Sequence, residues 1–225
     1  VEFTLRAEAR FSDATQITVE DVVFSMETLA AHGRPSFREV WGKVSGWRQT
    51  GPLSVRFDFS EPDREAPLIL GLAPIFKKAQ FAERVFEEPS LEPIVGSGPY
   101  VVDAFEADRF VSLLRDEAYW GRHLAINAGR NNLDEIRVEY FRDASALLDA
   151  FRAGEITFRR EDDPSRWAEG YGFAEKAGVA TVEIPHARPT GMHGFVYNMR
   201  RAPFDDIRVR RALTHAFNFE WINAT

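Results

Sequence analysis

Residues 133–158 read LDEIRVEYFRDASALLDAFRAGEITF and contain three consecutive elements of a mixed α/β fold. Apolar residues alternate along Glu135–Phe141, which is the period of a β-strand. Asp143 precedes a segment with helical spacing and can cap its first turn, and Gly154 closes that segment. Ile156–Phe158 adds a second short strand pattern. The stretch therefore predicts a β-α-β unit, most simply one that joins two parallel strands.

Along the rest of the chain, segments with the period of a β-strand alternate with segments that have helical spacing. Thr18 stands three residues before Asp21, a relative of the capping box, and the helix that this pair predicts ends at Gly33. Asp205 is predicted to cap a last helix, and Phe81–Leu91 could form a short one. Strand patterns cover Val1–Arg6, Ser54–Ser60, Tyr100–Phe105, Phe110–Leu114, Val179–Ile184 and Gly194–Met199, with a hairpin turn near Ala107-Asp108. This alternation predicts a mixed α/β architecture.

Length, charge and the absence of cysteine argue against several classes of protein. The chain has 225 residues, of which 44% are hydrophobic, so it can bury the core of one large domain or two small ones. Its 28 basic and 35 acidic residues give a net charge of -7, which argues against a nucleic-acid partner. There is no cysteine, which excludes thiol nucleophiles and thiolate metal sites. The chain starts in a strand pattern without Met, so we expect both ends to be cut from a longer polypeptide, with any export signal outside this fragment.

No catalytic set emerges from the motifs. Ser97 is flanked directly by glycines and does not fit the spacing of a nucleophile elbow. Among the five histidines the nearest pair, His186 and His193, lies in no compact metal-binding pattern, so we predict no metal site and no cofactor. Aromatic residues near glycine-rich breaks would suit a binding surface, although each alone is more often a core residue: Tyr100, Trp120, Trp167, Tyr171, Phe195 and Tyr197.

Five segments, in order and over nearly the whole chain, together resemble one family. The chain is similar to the extracytoplasmic solute-binding proteins of family 5, the peptide/nickel-type receptors of ABC importers, and most similar to the Yej-type oligopeptide (microcin C) binding proteins. The segments are FSDATQITVEDVVFS at 11–25, GSGPY at 96–100, YWG at 119–121, LDEI…AGE within 133–155, and N…PFDDIRVRRAL within 198–213. Two positions depart from the family pattern: Ala14 stands where Gly is usual, so the turn must avoid positive φ or bear strain, and Thr157 stands where Asp is expected.

The resemblance implies a type II periplasmic-binding-protein fold, here truncated, in which two lobes close on a ligand. Residues 1–95 would form the extra α+β domain of the large peptide receptors. Residues 96–197 would form part of lobe one with its mixed sheet, and residues 198–225 the hinge and the start of lobe two. The implied hinge residues are Tyr197 and Asn198. The implied ligand-binding residues are Gly191, Met192, His193, Gly194 and Phe195, where Met and Phe would offer adaptable apolar contact.

The implied function is that of a periplasmic, monomeric receptor, without enzymatic activity, that captures an oligopeptide or peptide-like solute and delivers it to an ABC permease of the inner membrane. Two alternatives from other classes stay open: a secreted or periplasmic hydrolase, and an interaction module that binds no small ligand. Because lobe two would supply the anchors for the peptide termini, we expect the 225-residue chain alone to bind peptide weakly or not at all.

Overall fold

The computed structural model describes residues 1–189, 191 and 194–224 and shows a mixed α/β chain, as predicted. Backbone contacts divide it into a first unit, Val1–Arg160, and a second unit, Glu161–Thr225. The domain boundaries that the resemblance implies, at 95 and 197, stay predictions. The strands are β1 (Glu2–Thr4), β2 (Val44–Gly51), β3 (Ser54–Phe59), β4 (Tyr100–Glu106), β5 (Phe110–Arg115) and β6 (Glu135–Glu139). The helices are α1 (Val19–His32), α2 (Pro35–Trp41), α3 (Ala66–Gly71), α4 (Ala144–Arg152), α5 (Pro164–Glu169), α6 (Ile207–Ala216) and α7 (Phe219–Ala224).

The first unit contains two antiparallel sheets. The first sheet has the order β1-β3-β2 and the second the order β4-β5-β6. Helix α1 supplies much of the core, because its apolar residues recur on one face and pack with the two fully buried residues of β3, Val55 and Phe57. The predicted capping box is confirmed: Thr18 Oγ1 accepts from Asp21 N at 3.2 Å, and the Asp21 carboxylate accepts from Thr18 N at 2.9 Å.

The predicted β-α-β unit is wrong in its last element. Strand β6 pairs antiparallel with β5, and α4 begins after Asp143, which accepts from Ser145 N and Ala146 N. Residues 156–158 form no strand, and Phe158 is 83% exposed. At the end of α4 the chain turns through Gly154 (φ 76°), and Glu155 N donates to Ala150 O at 3.0 Å. A three-residue apolar run carries too little periodicity to specify a strand against this helix ending.

Three further sequence predictions are corrected. Residues 78–81 form a short 3₁₀ turn in place of the longer helix predicted over Phe81–Leu91. Residues 179–184 and 194–199 have no ladder with another strand in the part of the chain that the structure describes, although their alternation fits a strand. Alternation alone does not make a strand, because each backbone N–H and C=O also needs a partner. Helix α6 is capped by Asp206, one residue after the predicted Asp205.

Candidate functional site

Three of the five predicted ligand-binding residues lie at exposed positions of the second unit. Gly191, Gly194 and Phe195 are exposed and outside regular secondary structure, whereas Met192 and His193 lie outside the described residues. Phe195 is 76% exposed, and its ring meets the ring of Phe217 edge-on, with 6.3 Å between centroids. The structure therefore presents Phe195 as an accessible aromatic side chain held on one side by the residue that follows α6.

The predicted hinge residues lie where this stretch turns toward α6. Tyr197 stacks on Phe204, with 5.4 Å between ring centroids and 25° between ring planes. Asn198 begins a turn, since its side-chain Oδ1 accepts from Arg200 N at 3.2 Å and its carbonyl oxygen accepts from Arg201 N at 3.0 Å. The two residues thus hold the backbone on either side of the turn in a defined geometry.

Arg210 braces the loop that leads into α6. Its Nη1 donates to the carbonyl oxygen of Phe204 at 2.6 Å and to that of Asp205 at 3.0 Å. The sequence analysis did not single out this arginine, because a guanidinium on a helix normally faces solvent. The sequence feature that could have predicted this contact is its position four residues after the Asp206 cap. One helical turn places the Arg210 side chain near the loop that precedes the helix.

The start of α6 is fixed electrostatically as well. Asp206 Oδ1 accepts from Arg208 N at 2.8 Å, and the Arg208 guanidinium pairs with the same carboxylate at 2.6 Å. The Arg208 side chain, followed by its backbone N–H, lowers the pKa of Asp206. The negative charge is therefore retained at the helix N-terminus, where it is favourable.

Three of the segments that carry the family resemblance meet in the first unit. Ser12 N donates to Gly96 O at 2.8 Å, and the indole Nε1 of Trp120 donates to Ser97 O at 3.2 Å. Trp120 also packs against a small apolar cluster formed by Ala9, Phe11 and Ile17. The motifs around residues 12, 97 and 120 are therefore parts of one structural junction, and Ser97 acts there through its carbonyl oxygen.

The turn before α1 is held by an ion pair. The Asp13 carboxylate pairs with Lys77 Nζ and accepts from Thr15 N at 3.1 Å and Thr15 Oγ1 at 2.6 Å. The Lys77 ammonium, followed by the Thr15 hydroxyl, lowers the pKa of Asp13 to about 2. Ala14 adopts a φ of 67°. A positive φ is unfavourable for a residue with a Cβ, so this turn bears the strain that replacing the family's usual Gly by Ala implies.

A groove of about 550 Å³ opens beside this turn. Aromatic rings of Phe24 and Phe81, 5.6 Å apart, contribute to its apolar lining, and Lys78 pairs with Glu20 among its polar lining residues. The sequence analysis identified none of these residues as a binding surface, because Phe81 reaches α1 only through the tertiary fold. Over the residues that the structure describes, no three His, Asp or Glu side chains are grouped as metal ligands, and no helix is both long and apolar enough to span a membrane.

Comparison with solved structures identifies the fold. The chain superposes on NikA of Brucella suis, solved in complex with Fe(III)-EDTA, with a TM-score of 0.77 at 21% identity. The match covers 100% of this chain and 44% of NikA. The fold is that of a type II periplasmic binding protein, so the expected fold class is confirmed.

Comparison with sequences then identifies the family. Residues 1–225 match the profile of the bacterial extracellular solute-binding proteins, family 5 (middle region), and the chain belongs to this family. Among its relatives in Agrobacterium fabrum, the peptidoglycan-binding protein YepA is 36% identical over 99% of this chain. A second relative there, named "Probable peptide-binding protein YejA", is 37% identical over 99% of this chain. The expected family and its Yej-type subgroup are therefore confirmed.

The chain covers only part of the length of each of these relatives. The chain spans 38% of the length of YepA and 38% of that of YejA from the same organism. Family and structural neighbours are binding proteins rather than enzymes.

Proposed function

We propose that this chain is part of a receptor that captures an oligopeptide or a peptide-like solute and delivers it to an ABC permease of the inner membrane. The observation that carries the proposal is the match of all 225 residues to a family of extracellular solute-binding proteins. The names of two relatives, which refer to peptide and to peptidoglycan, favour a peptide or peptide-like solute over a bare ion. Main-chain hydrogen bonds with apolar pockets would give loose selectivity for side chains.

The contact surface for this solute is proposed to be Gly191–Phe195. The exposure of Phe195 supports this assignment, because an aromatic ring open to solvent can cover an apolar group of the ligand. Met192 and His193 belong to the proposed surface by sequence only, since they lie outside the described residues.

Tyr197 and Asn198 are proposed as the hinge. The ring stack of Tyr197 on Phe204 supports this role, because a hinge needs firm elements on each side of the few residues that rotate. In this proposal residues 1–95, 96–197 and 198–225 belong to an extra domain, to lobe one, and to the hinge with the start of lobe two.

The proposal includes a periplasmic, monomeric protein without catalytic activity. A hydrolase is the first alternative, and it is disfavoured because the glycines directly flanking Ser97 do not fit the spacing of a nucleophile elbow. An interaction module without a small ligand is the second alternative. It predicts that no peptide raises the melting temperature of the protein, because only a ligand that binds the folded state stabilises it.

Calorimetry with a defined set of tri- to octapeptides tests the proposal on two proteins: this 225-residue chain and the full-length polypeptide that contains it. We expect saturable binding by the full-length protein and weak or no binding by the chain alone. Equal affinity of the two would contradict the proposed division of the site between lobes. Peptide cleavage during the titration, followed by mass spectrometry, would establish the hydrolase instead.

A further inference from the structure

A second recess lies in the first unit. It has a volume of about 240 Å³ and is formed by the end of β5, the YWG turn and the loop at 127–132. Its lining is mainly polar and includes three arginines, Arg115, Arg122 and Arg130, and two acidic residues, Asp116 and Glu117. This volume is that of a small solute rather than of a peptide chain.

The carboxylate of Glu117 forms ion pairs with two of these arginines, Arg115 and Arg122. Glu117 Oε1 accepts from Arg115 Nε at 3.0 Å and forms an ion pair with Arg115 Nη2 at 2.9 Å. Glu117 Oε2 accepts from Arg122 Nη1 at 2.7 Å. The two guanidiniums therefore bind one planar carboxylate between them, which is the arrangement that recognises acidic groups in proteins.

The two sides of this ion pair differ in how firmly they are held. The Arg115 side chain is 28% exposed and is also bound by Asp134 at 2.6 Å and by the carbonyl oxygen of Asn131 at 3.3 Å. Glu117 is 62% exposed, and its own contacts in the pair are with Arg115 and Arg122. Because exposed ion pairs contribute little free energy, Glu117 can leave the arginines at low cost while Arg115 stays oriented.

The recess offers further polar groups next to the clamp. Tyr119 Oη lies at 3.4 Å from Asn127 Nδ2, and Asn127 Nδ2 also donates to Gly121 O at 2.8 Å. Arg130 and Asn131 also line the recess. Phenol and amide groups can bind the hydroxyl groups of a ligand, because each of them contains both a hydrogen-bond donor and a hydrogen-bond acceptor.

We propose that this recess is a binding site for a small hydroxylated carboxylate, in which the ligand's carboxylate replaces Glu117 between Arg115 and Arg122 and its hydroxyl groups bind Tyr119 and Asn131. Glu117 acts as an internal competitor that fills the site when no ligand is present. No residue of this site belongs to the proposed peptide contact surface.

The roles of Glu117 and Arg122 give opposite predictions. Gluconate is titrated into the 225-residue chain at constant ionic strength, and the dissociation constant is measured by NMR from the backbone amides of Gly129 and Asn131. We expect Glu117→Gln to tighten gluconate binding and Arg122→Gln to weaken it, each by about fivefold, because the first removes the competing carboxylate and the second removes a donor to the ligand. Both side chains are more than half exposed, so neither change threatens folding.

Two ligands and two variants serve as controls. Sorbitol lacks the carboxylate and acetate lacks the hydroxyl groups, so both should bind at least about tenfold more weakly than gluconate if each half of the ligand is recognised. Arg109→Gln and Glu106→Gln break an exposed ion pair of 2.6 Å on the β4–β5 hairpin and should leave gluconate binding unchanged. The proposal is overturned if Glu117→Gln and Arg122→Gln shift the affinity in the same direction, if neither shifts it, or if gluconate leaves the amides of Gly129 and Asn131 unperturbed.

Discussion

The hydroxyl of Ser25, fully buried in α1, accepts a hydrogen bond from the backbone N–H of Phe76 at 2.7 Å and donates to the carbonyl oxygen of Asp21 at 2.6 Å. Two residues further on, Lys78 N donates to the Asp21 carboxylate at 2.9 Å. Helix α1 thereby holds a segment that is 51 to 57 residues away in the chain. This segment contributes Lys77 and Phe81 to the groove and the turn described above.

Replacement of Ser25 by Ala should destabilise the protein by about 1–3 kcal/mol, because the N–H of Phe76 loses its acceptor in a largely apolar environment. Urea unfolding followed by circular dichroism measures the free energy of unfolding. Ser36→Ala, at an exposed position in α2, is the matched control and should change it by less than about 0.5 kcal/mol. Equal effects of the two substitutions would show that the Ser25–Phe76 bond contributes nothing to stability.

Ala14→Gly should stabilise the protein by about 0.5–1 kcal/mol. Ala14 has a φ of 67°, where a Cβ costs about 1–2 kcal/mol, and this strain exceeds the extra chain entropy that Gly has in the unfolded state. The melting temperature should rise accordingly. Ala118→Gly, at another exposed turn position that does not have a positive φ, should lower it or leave it unchanged. A lower melting temperature for Ala14→Gly would contradict the strained conformation.

The sequence predicted the elements whose signals are local. The capping box of Thr18 and Asp21, the cap at Asp143 and the hairpin turn at Asp108 each depend on residues within one turn of one another, and all three are present. Strand pairing is different, because it depends on which distant segment offers a free edge. The alternation in Val179–Ile184 contained no information about a partner, and the described residues provide none.

In the candidate sites, too, contacts between side chains could not be predicted from the sequence. Motif order identified the family, and the stretch around Phe195 stays a prediction from the same resemblance. Motif order says nothing about contacts between side chains. The clamp of Arg115 and Arg122 on Glu117 depends on the β5–turn geometry, and the brace from Arg210 to Phe204 depends on where α6 begins. Arginines with these two roles look alike in a sequence, because a solvated guanidinium and a bound one occur in the same helical and turn patterns.

The Asp13–Lys77 pair makes stability depend on pH in the acid range. The pKa of Asp13 is lowered from 3.8 to about 2, so the folded state binds the proton less readily than the unfolded state. The stabilising contribution is therefore complete above about pH 4 and is lost as the pH falls toward 2. Asp13→Asn should be less stable than the wild type at pH 7, and this difference in free energy of unfolding should shrink between pH 4 and pH 2.

Urea titrations at a series of pH values measure this difference. Glu20→Gln, which breaks the exposed pair with Lys78, should alter the free energy of unfolding at pH 7 by no more than about 1 kcal/mol. A difference between Asp13→Asn and the wild type that is the same at pH 7 and pH 2 would mean that Lys77 does not hold the Asp13 carboxylate in its charged form.

Arg210→Ala should loosen the turn between the proposed hinge and α6. Without the guanidinium, the carbonyl oxygens of Phe204 and Asp205 lose the donor that binds them at 2.6 and 3.0 Å, and the backbone around the exposed Arg200 and Arg201 opens more readily. Limited trypsin digestion, read by mass spectrometry as the rate of cleavage after Arg200 and Arg201, should be at least about threefold faster, because cleavage in this regime follows the population of the open state. Arg211→Ala removes the neighbouring exposed arginine and should leave that rate unchanged. If the two variants are cleaved at the same rate, Arg210 does not brace the turn.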